Sequence, residues 1–207
     1  MTIAFTSDPH FYYGDLADVV SHMNNDPEID AVIIPGDVAD QGLLTEFIWY
    51  NDVISKLDRP YITLIGNHDH LSNGRQIYER MFGPRNFTVD VHDHRFIFFD
   101  DTVWESDEVP DLAWLAQALA FAGERIPVLI THIPTYTDQL EDEFGGEMHA
   151  MLVQHGAPLV VHGHIHSFSD NHPWQDEVRY VCVPWPRHRQ YVKITFGQEM
   201  EVELVRL

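Results

Sequence analysis

The sequence is poor in cysteine, poor in positive charge and without a long apolar run, and each scarcity closes off a class of protein. Cys182 is the only cysteine, so no intrachain disulfide forms and a cysteine-based zinc site is excluded. It sits in the apolar run Tyr180 to Val183 and is expected in the core. Lys and Arg total 12 against 33 Asp and Glu, a formal net charge of −21. A surface of that sign repels a phosphate backbone, so no basic nucleic-acid-binding patch is expected. Bound metal cations would still let an acidic protein handle phosphate, because they invert the local field. No apolar run approaches the length of a membrane span. The opening Met1-Thr2-Ile3-Ala4-Phe5 lacks the basic segment and long apolar stretch of a secretion signal. A cytoplasmic protein with no membrane association is expected.

What is present suits one globular domain over residues 1–207, with 44% hydrophobic residues to fill its core. Short apolar runs alternate with helical patterns, which predicts a layered α/β fold. Ile3 to Thr6, Ala31 to Ile34, Tyr61 to Ile65, Val128 to Thr131 and Leu159 to Val161 are short and apolar, as buried strands should be. Helical spacing covers Asp15 to Asn24, Leu43 to Leu57, Gln76 to Phe82, Asp111 to Phe121 and Met148 to His155. In the second helix Leu43, Leu44, Phe47, Ile48, Ile54 and Leu57 form a stripe expected to pack into the core. Phe87 to Val91 and Arg95 to Asp100 flank His92-Asp93-His94 as a hairpin. Arg179 to Val183, Tyr191 to Phe196 and Val202 to Leu207 complete the strands. The expected architecture is a four-layer sandwich of two mixed β-sheets flanked by helices.

The chain has 14 histidines, and their placement is informative. Asp8-Pro9-His10 follows the first buried strand, Gly36-Asp37-Val38-Ala39-Asp40 the second and Gly66-Asn67-His68-Asp69 the third. The fourth runs into His132 and the fifth into Gly163-His164-Ile165-His166. Ligands of α/β sheets bind at the carboxyl ends of strands. Imidazole, carboxylate and amide oxygen together suit Mn, Fe, Zn, Ni or Co. Singly, Asp8-Pro9-His10 also fits a turn, Gly36-Asp37 a helix cap and His132 a core histidine. In this order, together, they point to a metal site. The glycines at 36, 66 and 163 are expected to let the backbone turn sharply out of each strand.

As a set these motifs resemble the calcineurin-like metallophosphoesterases, from residue 8 to residue 166. The resemblance implies two divalent metal ions. Asp8, His10, Asp37 and His166 would hold the first, and Asp37, Asn67, His132 and His164 the second, with Asp37 bridging. His68 would stand beside the metals without ligating them, and Asp40 resembles the carboxylate that orients it. The implied reaction is hydrolysis of a phosphoester by a metal-activated hydroxide, with His68 serving the leaving group or the phosphoryl oxygens. Asp69 either braces a ligand or caps the following helix.

The chain resembles the cyclic-nucleotide and general phosphodiesterase branch of that superfamily, which implies a small phosphoester as substrate. The same motifs also serve phosphomonoesterases and nucleases, and a non-catalytic metal-binding scaffold is the reading from another class. The protein-phosphatase branch fits less well, since Phe11 follows His10 and Gln41 follows Asp40. Phe11-Tyr12-Tyr13 either lines the cleft, with Tyr12 touching substrate, or packs at a helix entrance. Pro184 to Arg189 holds two of the few basic residues and either reaches a phosphate or forms a solvated turn. Ile133 to Glu147, with Asp138, Glu141, Asp142, Glu143 and Glu147, is expected as an acidic rim. His162 is expected to end its strand rather than to ligate. The oligomeric state is open.

Overall fold

The computed structural model describes residues 1–140, 144–197 and 199–207. Glu141, Asp142 and Glu143 of the expected acidic rim lie outside the described residues. Sheet one holds five strands: β1 (Thr2–Phe5), β2 (Ala31–Pro35), β3 (Tyr61–Leu64), β10 (Gln190–Phe196) and β11 (Met200–Arg206). Their order is β11-β10-β1-β2-β3. Sheet two holds six: β4 (Phe87–Val91), β5 (His94–Phe98), β6 (Ile126–Ile130), β7 (Leu159–His162), β8 (Ser169–Asn171) and β9 (Arg179–Cys182), in the order β4-β5-β6-β7-β9-β8. In sheet one β1, β2 and β3 run parallel and β10 pairs antiparallel with β1 and β11; in sheet two β5, β6, β7 and β9 run parallel, with β4 and β8 antiparallel at the edges.

The period of two along each strand builds the layers. Ile3 and Phe5 of β1 face Phe96, Phe98, Val128, Ile130, Val161 and Val181 of sheet two, forming the central core. The alternate residues Ala4, Val32 and Ile34 face outward onto Leu16, Val19, Phe47 and Tyr50. These belong to α1 (Tyr13–Asn24) and α2 (Leu44–Ile54), with α3 (Gly74–Met81) alongside. On the far side Ile97, Phe99, Leu129 and Val160 meet Leu115, Leu119, Met148 and Leu152, from α4 (Leu112–Ala120) and α5 (Gly146–Gln154). The result is helix, sheet, sheet, helix, as expected. Strands buried on both faces are why their sequences read as apolar runs rather than alternations.

Two expectations need correction. The α2 stripe is only half in the core: Phe47, Ile54 and Leu57 are buried, whereas Leu43, Leu44 and Ile48 are exposed. Leu43 lies outside the helix in extended backbone, and the true inner face is Phe47, Tyr50, Val53 and Ile54. The tyrosine was missed because its hydroxyl is satisfied inside, 2.7 Å from the Thr63 hydroxyl. Strand β8, Ser-Asp-Asn, carries no apolar pattern at all. It is an edge strand held to β9 by backbone pairing. Among the described residues, no helix is long and apolar enough to cross a membrane.

Candidate metal centre

The parallel strands of both sheets end at the same edge of the sandwich, and five of those ends meet. β1, β2 and β3 lead into Asp8 and His10, Asp37, and Asn67 and His68, while β6 and β7 lead into His132 and into His164 and His166. Backbone bonds tie the loops to one another. Asp8 N donates to Gly36 O, His10 N to Asp37 O and Gly163 N to His132 O, at 3.1, 3.2 and 3.2 Å.

The backbone here is strained in a regular way. Asp8, His10, Asp37, His164 and His166 have φ of 56°, 44°, 52°, 69° and 62°. Left-handed geometry at a non-glycine residue costs roughly 1–2 kcal/mol. It persists only where surrounding structure enforces it, typically at functional sites. Gly36 does turn through positive φ, at 95°. The other two glycines act differently from expectation. Gly66 and Gly163 are not among the positive-φ glycines. A Cβ on Gly66 would strike the Asp37 carboxylate, and one on Gly163 would strike the Asp8 carboxylate and the Ser7 hydroxyl. They make room for carboxylates rather than for a turn.

Two donor sets stand on either side of Asp37 Oδ2, and a third group, His10, Asp40 and His68, shares His10 with the first. Asp8, His10 and His166 form one group and Asp37, His132 and His164 another, each with ligand atoms within 4.8 Å of one another. In the first, His10 Nε2 lies 3.2 Å from His166 Nε2, and His166 Nε2 lies 3.3 Å from Asp8 Oδ1. In the second, His132 Nε2 lies 3.1 Å from Asp37 Oδ2 and 3.0 Å from Asn67 Oδ1. His164 Nδ1 lies 3.2 Å from the same Asn67 oxygen. Asp37 Oδ2 is also 3.7 Å from His10 Nε2, so one carboxylate oxygen borders both sets. Ligands about 2.1 Å from a first-row metal stand roughly 3.0–3.4 Å apart from each other. Most of these separations fall close to that window, and the donors are nitrogen and oxygen in the mixture such ions prefer. The residues therefore fit divalent metals.

Hydrogen bonds aim the donors. His132 Nδ1 donates to the Pro35 carbonyl at 2.7 Å, which fixes the ring with Nε2 aimed at Asp37. Asn67 Nδ2 donates to Glu105 at 2.9 Å, which turns the amide oxygen toward His132 and His164. Burial lowers the His10 imidazole, and lowers His164 to about 4 despite nearby Asp8 and Asp37. Both are thus neutral at pH 7, with lone pairs free. Burial also acts against charge on His132, but Asp37, its hydrogen bond and Asp8 override this and raise it well above its ordinary value. Burial works to raise Asp37 too, yet His132 and His10 hold it well below the usual carboxylate range.

His68 and Asp40 stand beside these sets. His68 Nδ1 donates to the main-chain carbonyl of Asp40 at 2.7 Å, whereas the Asp40 carboxylate is 3.9 Å away. That carboxylate is nearer His10 Nδ1, at 3.4 Å. His68 N donates to Asp37 Oδ1 at 2.8 Å. Asp69 is a brace between loops: it accepts from Val38 N, Ala39 N and Gly66 N. Burial and then Asp37 push it up to about 8. Tyr12 stands at the rim, with its ring edge-on to Trp185 at 5.2 Å.

Sequence reading missed Glu105 and Asp101, and singled out Pro184 to Arg189 for its basic residues rather than for Trp185. Glu105 orients Asn67, Asp101 accepts from His132 N and Ile133 N at 3.3 and 3.2 Å, and Trp185 stacks on His166 at 4.5 Å. None lies in a motif; Glu105 sits in an irregular turn 38 residues from its partner. His70, His149 and His162 are core histidines, paired with Asp100, Asp176 and Tyr136.

Fold and donor sets together define a metallohydrolase of the two-sheet sandwich class. More particularly, the chain belongs to the calcineurin-like phosphoesterase family, whose model matches residues 1–168. Its members hydrolyse phosphoester bonds with divalent metals, typically two. The glycerophosphodiester phosphodiesterase GpdQ of Enterobacter lignolyticus is 29% identical over 160 residues, covering 65% of this chain and 57% of that protein. A probable GpdQ of Arcobacter nitrofigilis is 27% identical over 58% of this chain and 48% of that protein. The chain thus spans about half the length of these curated relatives. A dimetal phosphatase from Danio rerio superposes with a TM-score of 0.79 at 10% identity, covering 99% of this chain and 95% of that one.

Proposed function

We propose that the protein is a phosphodiesterase of small phosphoesters, cyclic nucleotides or similar diesters, working with two divalent metals held as described. The observation that carries this is the shared oxygen: Asp37 Oδ2 stands 3.1 Å from His132 Nε2 and 3.7 Å from His10 Nε2. A carboxylate between two donor sets suits a metal pair, since its oxygens can face both ions. The GpdQ relatives favour a diester over a monoester.

When bound, the metals supply Lewis acidity and lower the pKa of a coordinated water. The chain's own residues do the rest. Asp8, His10 and His166 on one side and Asn67, His132 and His164 on the other fix where the phosphate must sit. His68 is partly exposed, with Nδ1 committed to the Asp40 carbonyl. Its Nε2 is the atom left to meet a leaving oxygen or an equatorial phosphoryl oxygen. The acidic surface disfavours long polyanions, which supports small substrates over nucleic acid.

The test is metal titration of chelated protein with turnover of bis(p-nitrophenyl) phosphate as readout. Activity should rise until two equivalents of Mn²⁺, Zn²⁺ or Co²⁺ are bound. Full activity at one equivalent would overturn the two-metal reading. A loaded protein that turns over neither this diester, p-nitrophenyl phosphate nor cyclic nucleotides would instead be a metal-binding scaffold.

A further inference from the structure

Beside the donor sets lies a small aromatic platform carrying a guanidinium. Trp185 stacks on His166 with ring centres 4.5 Å apart and planes 17° from parallel. Tyr12 meets Trp185 edge-on. Arg187 lies over both, with Cζ 4.6 Å from the Tyr12 ring centre and 5.4 Å from that of Trp185. Its Nη1 donates to the Tyr12 hydroxyl at 2.8 Å. The platform has a local cause: Trp185-Pro186-Arg187-His188 follows β9 and makes a short 3-10 turn that presents successive side chains at the rim.

Arg187 differs from most other arginines of the chain in one respect. Arg189, two residues on, is paired with Asp18 at 2.5 Å. Arg59, Arg75, Arg85, Arg95, Arg125 and Arg179 are likewise paired with carboxylates, whereas Arg80 on α3 and Arg206 on β11 have no such pair among the described residues and touch no aromatic platform beside the donor sets. Among the described residues no carboxylate pairs with Arg187, although acidic residues outnumber basic ones 33 to 12. Of its five N–H donors, one is spent on a neutral hydroxyl. Packing on two aromatic faces holds the fork in place. A fixed, unpaired guanidinium one indole away from a metal ligand is a recognition group for an anionic oxygen cluster.

Resting on the phosphoesterase reading above, we propose that Arg187 binds a second anionic group, carboxylate or phosphate, on the arm of the small phosphoester that projects past His166 and Trp185. Substrates with such a group would be selected over diesters whose arms carry no charge, with Tyr12 and Trp185 as positioning residues for the guanidinium.

The test is calorimetric binding of phosphonates to metal-loaded protein at fixed pH and salt, so that it does not depend on turnover. Ethylphosphonate is compared with 3-phosphonopropionate, 4-phosphonobutyrate and 5-phosphonopentanoate, which add a carboxylate at increasing reach. At least one carboxylate probe should bind about tenfold more tightly than ethylphosphonate. Arg187→Met, which keeps the apolar stem, should bring that ratio near one, and Arg187→Lys should keep part of it. No preference in the wild type, or one undiminished in Arg187→Met, would overturn the proposal. Loss of turnover with the preference intact would instead count against the enzymatic reading alone.

Discussion

The two ends of the same parallel strands could hardly differ more. At their N-terminal ends the sheets splay around a cavity of about 520 Å³ lined by Ile3, Val32, Ile33, Ile62, Val89, Phe96 and Phe98. Its walls are mostly hydrocarbon, with Asp30 and His92 as the titratable groups of the lining. At their C-terminal ends the strands deliver buried Asp8, His10, Asp37, Asn67 and His132, five residues in left-handed backbone and carboxylates packed against glycines. The apolar end gains stability from burial and asks nothing of the backbone. The polar end costs stability through desolvation and strain, which it retains because a divalent cation would satisfy its lone pairs. Hole size says little about function; the chemistry of the lining says more.

The contrast predicts that substitutions at the two ends fail in different ways. Asp37→Asn should have the largest functional effect. It removes the negative charge from the oxygen common to both donor sets, so bound metal should fall from two per chain to below one. Turnover should fall on the order of 10³-fold, as when a central electrostatic group is lost. Metal analysis of purified protein checks the first, and diester hydrolysis the second. His68→Ala should be smaller and cleaner. Its side chain is partly exposed, so stability should change by under about 1 kcal/mol. Two metals should remain while kcat falls by about 10²–10⁴. Unaltered kcat would remove His68 from the reaction. Away from that end, Phe96→Ala truncates a buried ring between the sheets, in the wall of the apolar cavity. Chemical denaturation should show a loss of about 3–5 kcal/mol, with kcat per folded molecule unaltered. If Phe96→Ala lowered kcat of folded protein as His68→Ala does, the two ends would not be separable.

The same contrast explains what could be read without a structure. Apolar runs specify the layers because a strand buried on both faces has no other composition available to it. The candidate ligands at 8, 10, 37, 67, 132, 164 and 166 are legible because each closely follows such a run. The strand that aims the side chain and the donor that uses it are neighbours in sequence. Asp40 was found by the same rule, yet it reaches His68 through its carbonyl rather than its carboxylate, since backbone roles leave no trace in residue type. The exposed side of α2 misled for a related reason. Leu44 and Ile48 are four apart like core residues, but Tyr50 takes the inner face. Residues that act from loops, such as Glu105 and Trp185, follow no period and no strand.

Glu105 offers the finest test of how the polar end is built. Asn67 is the only amide among the expected ligands, and an amide has two ends of similar size. Only its oxygen can ligate. The hydrogen bond from Asn67 Nδ2 to Glu105 Oε1 at 2.9 Å chooses the oxygen for the side of His132 and His164. Glu105→Ala should leave Nδ2 without that partner and let the amide rotate. Affinity for one of two metals should then drop about 10–100-fold, the usual cost of losing a group that orients a ligand. The other metal, with no amide in its set, should be held as before. Glu105→Gln can still accept from Nδ2 and should restore most of the lost affinity. Competition with a fluorescent chelator resolves the two binding steps. An equal loss at both steps would mean that Glu105 acts through overall charge, and an unaltered pair of steps would mean that Asn67 is oriented by the histidines alone.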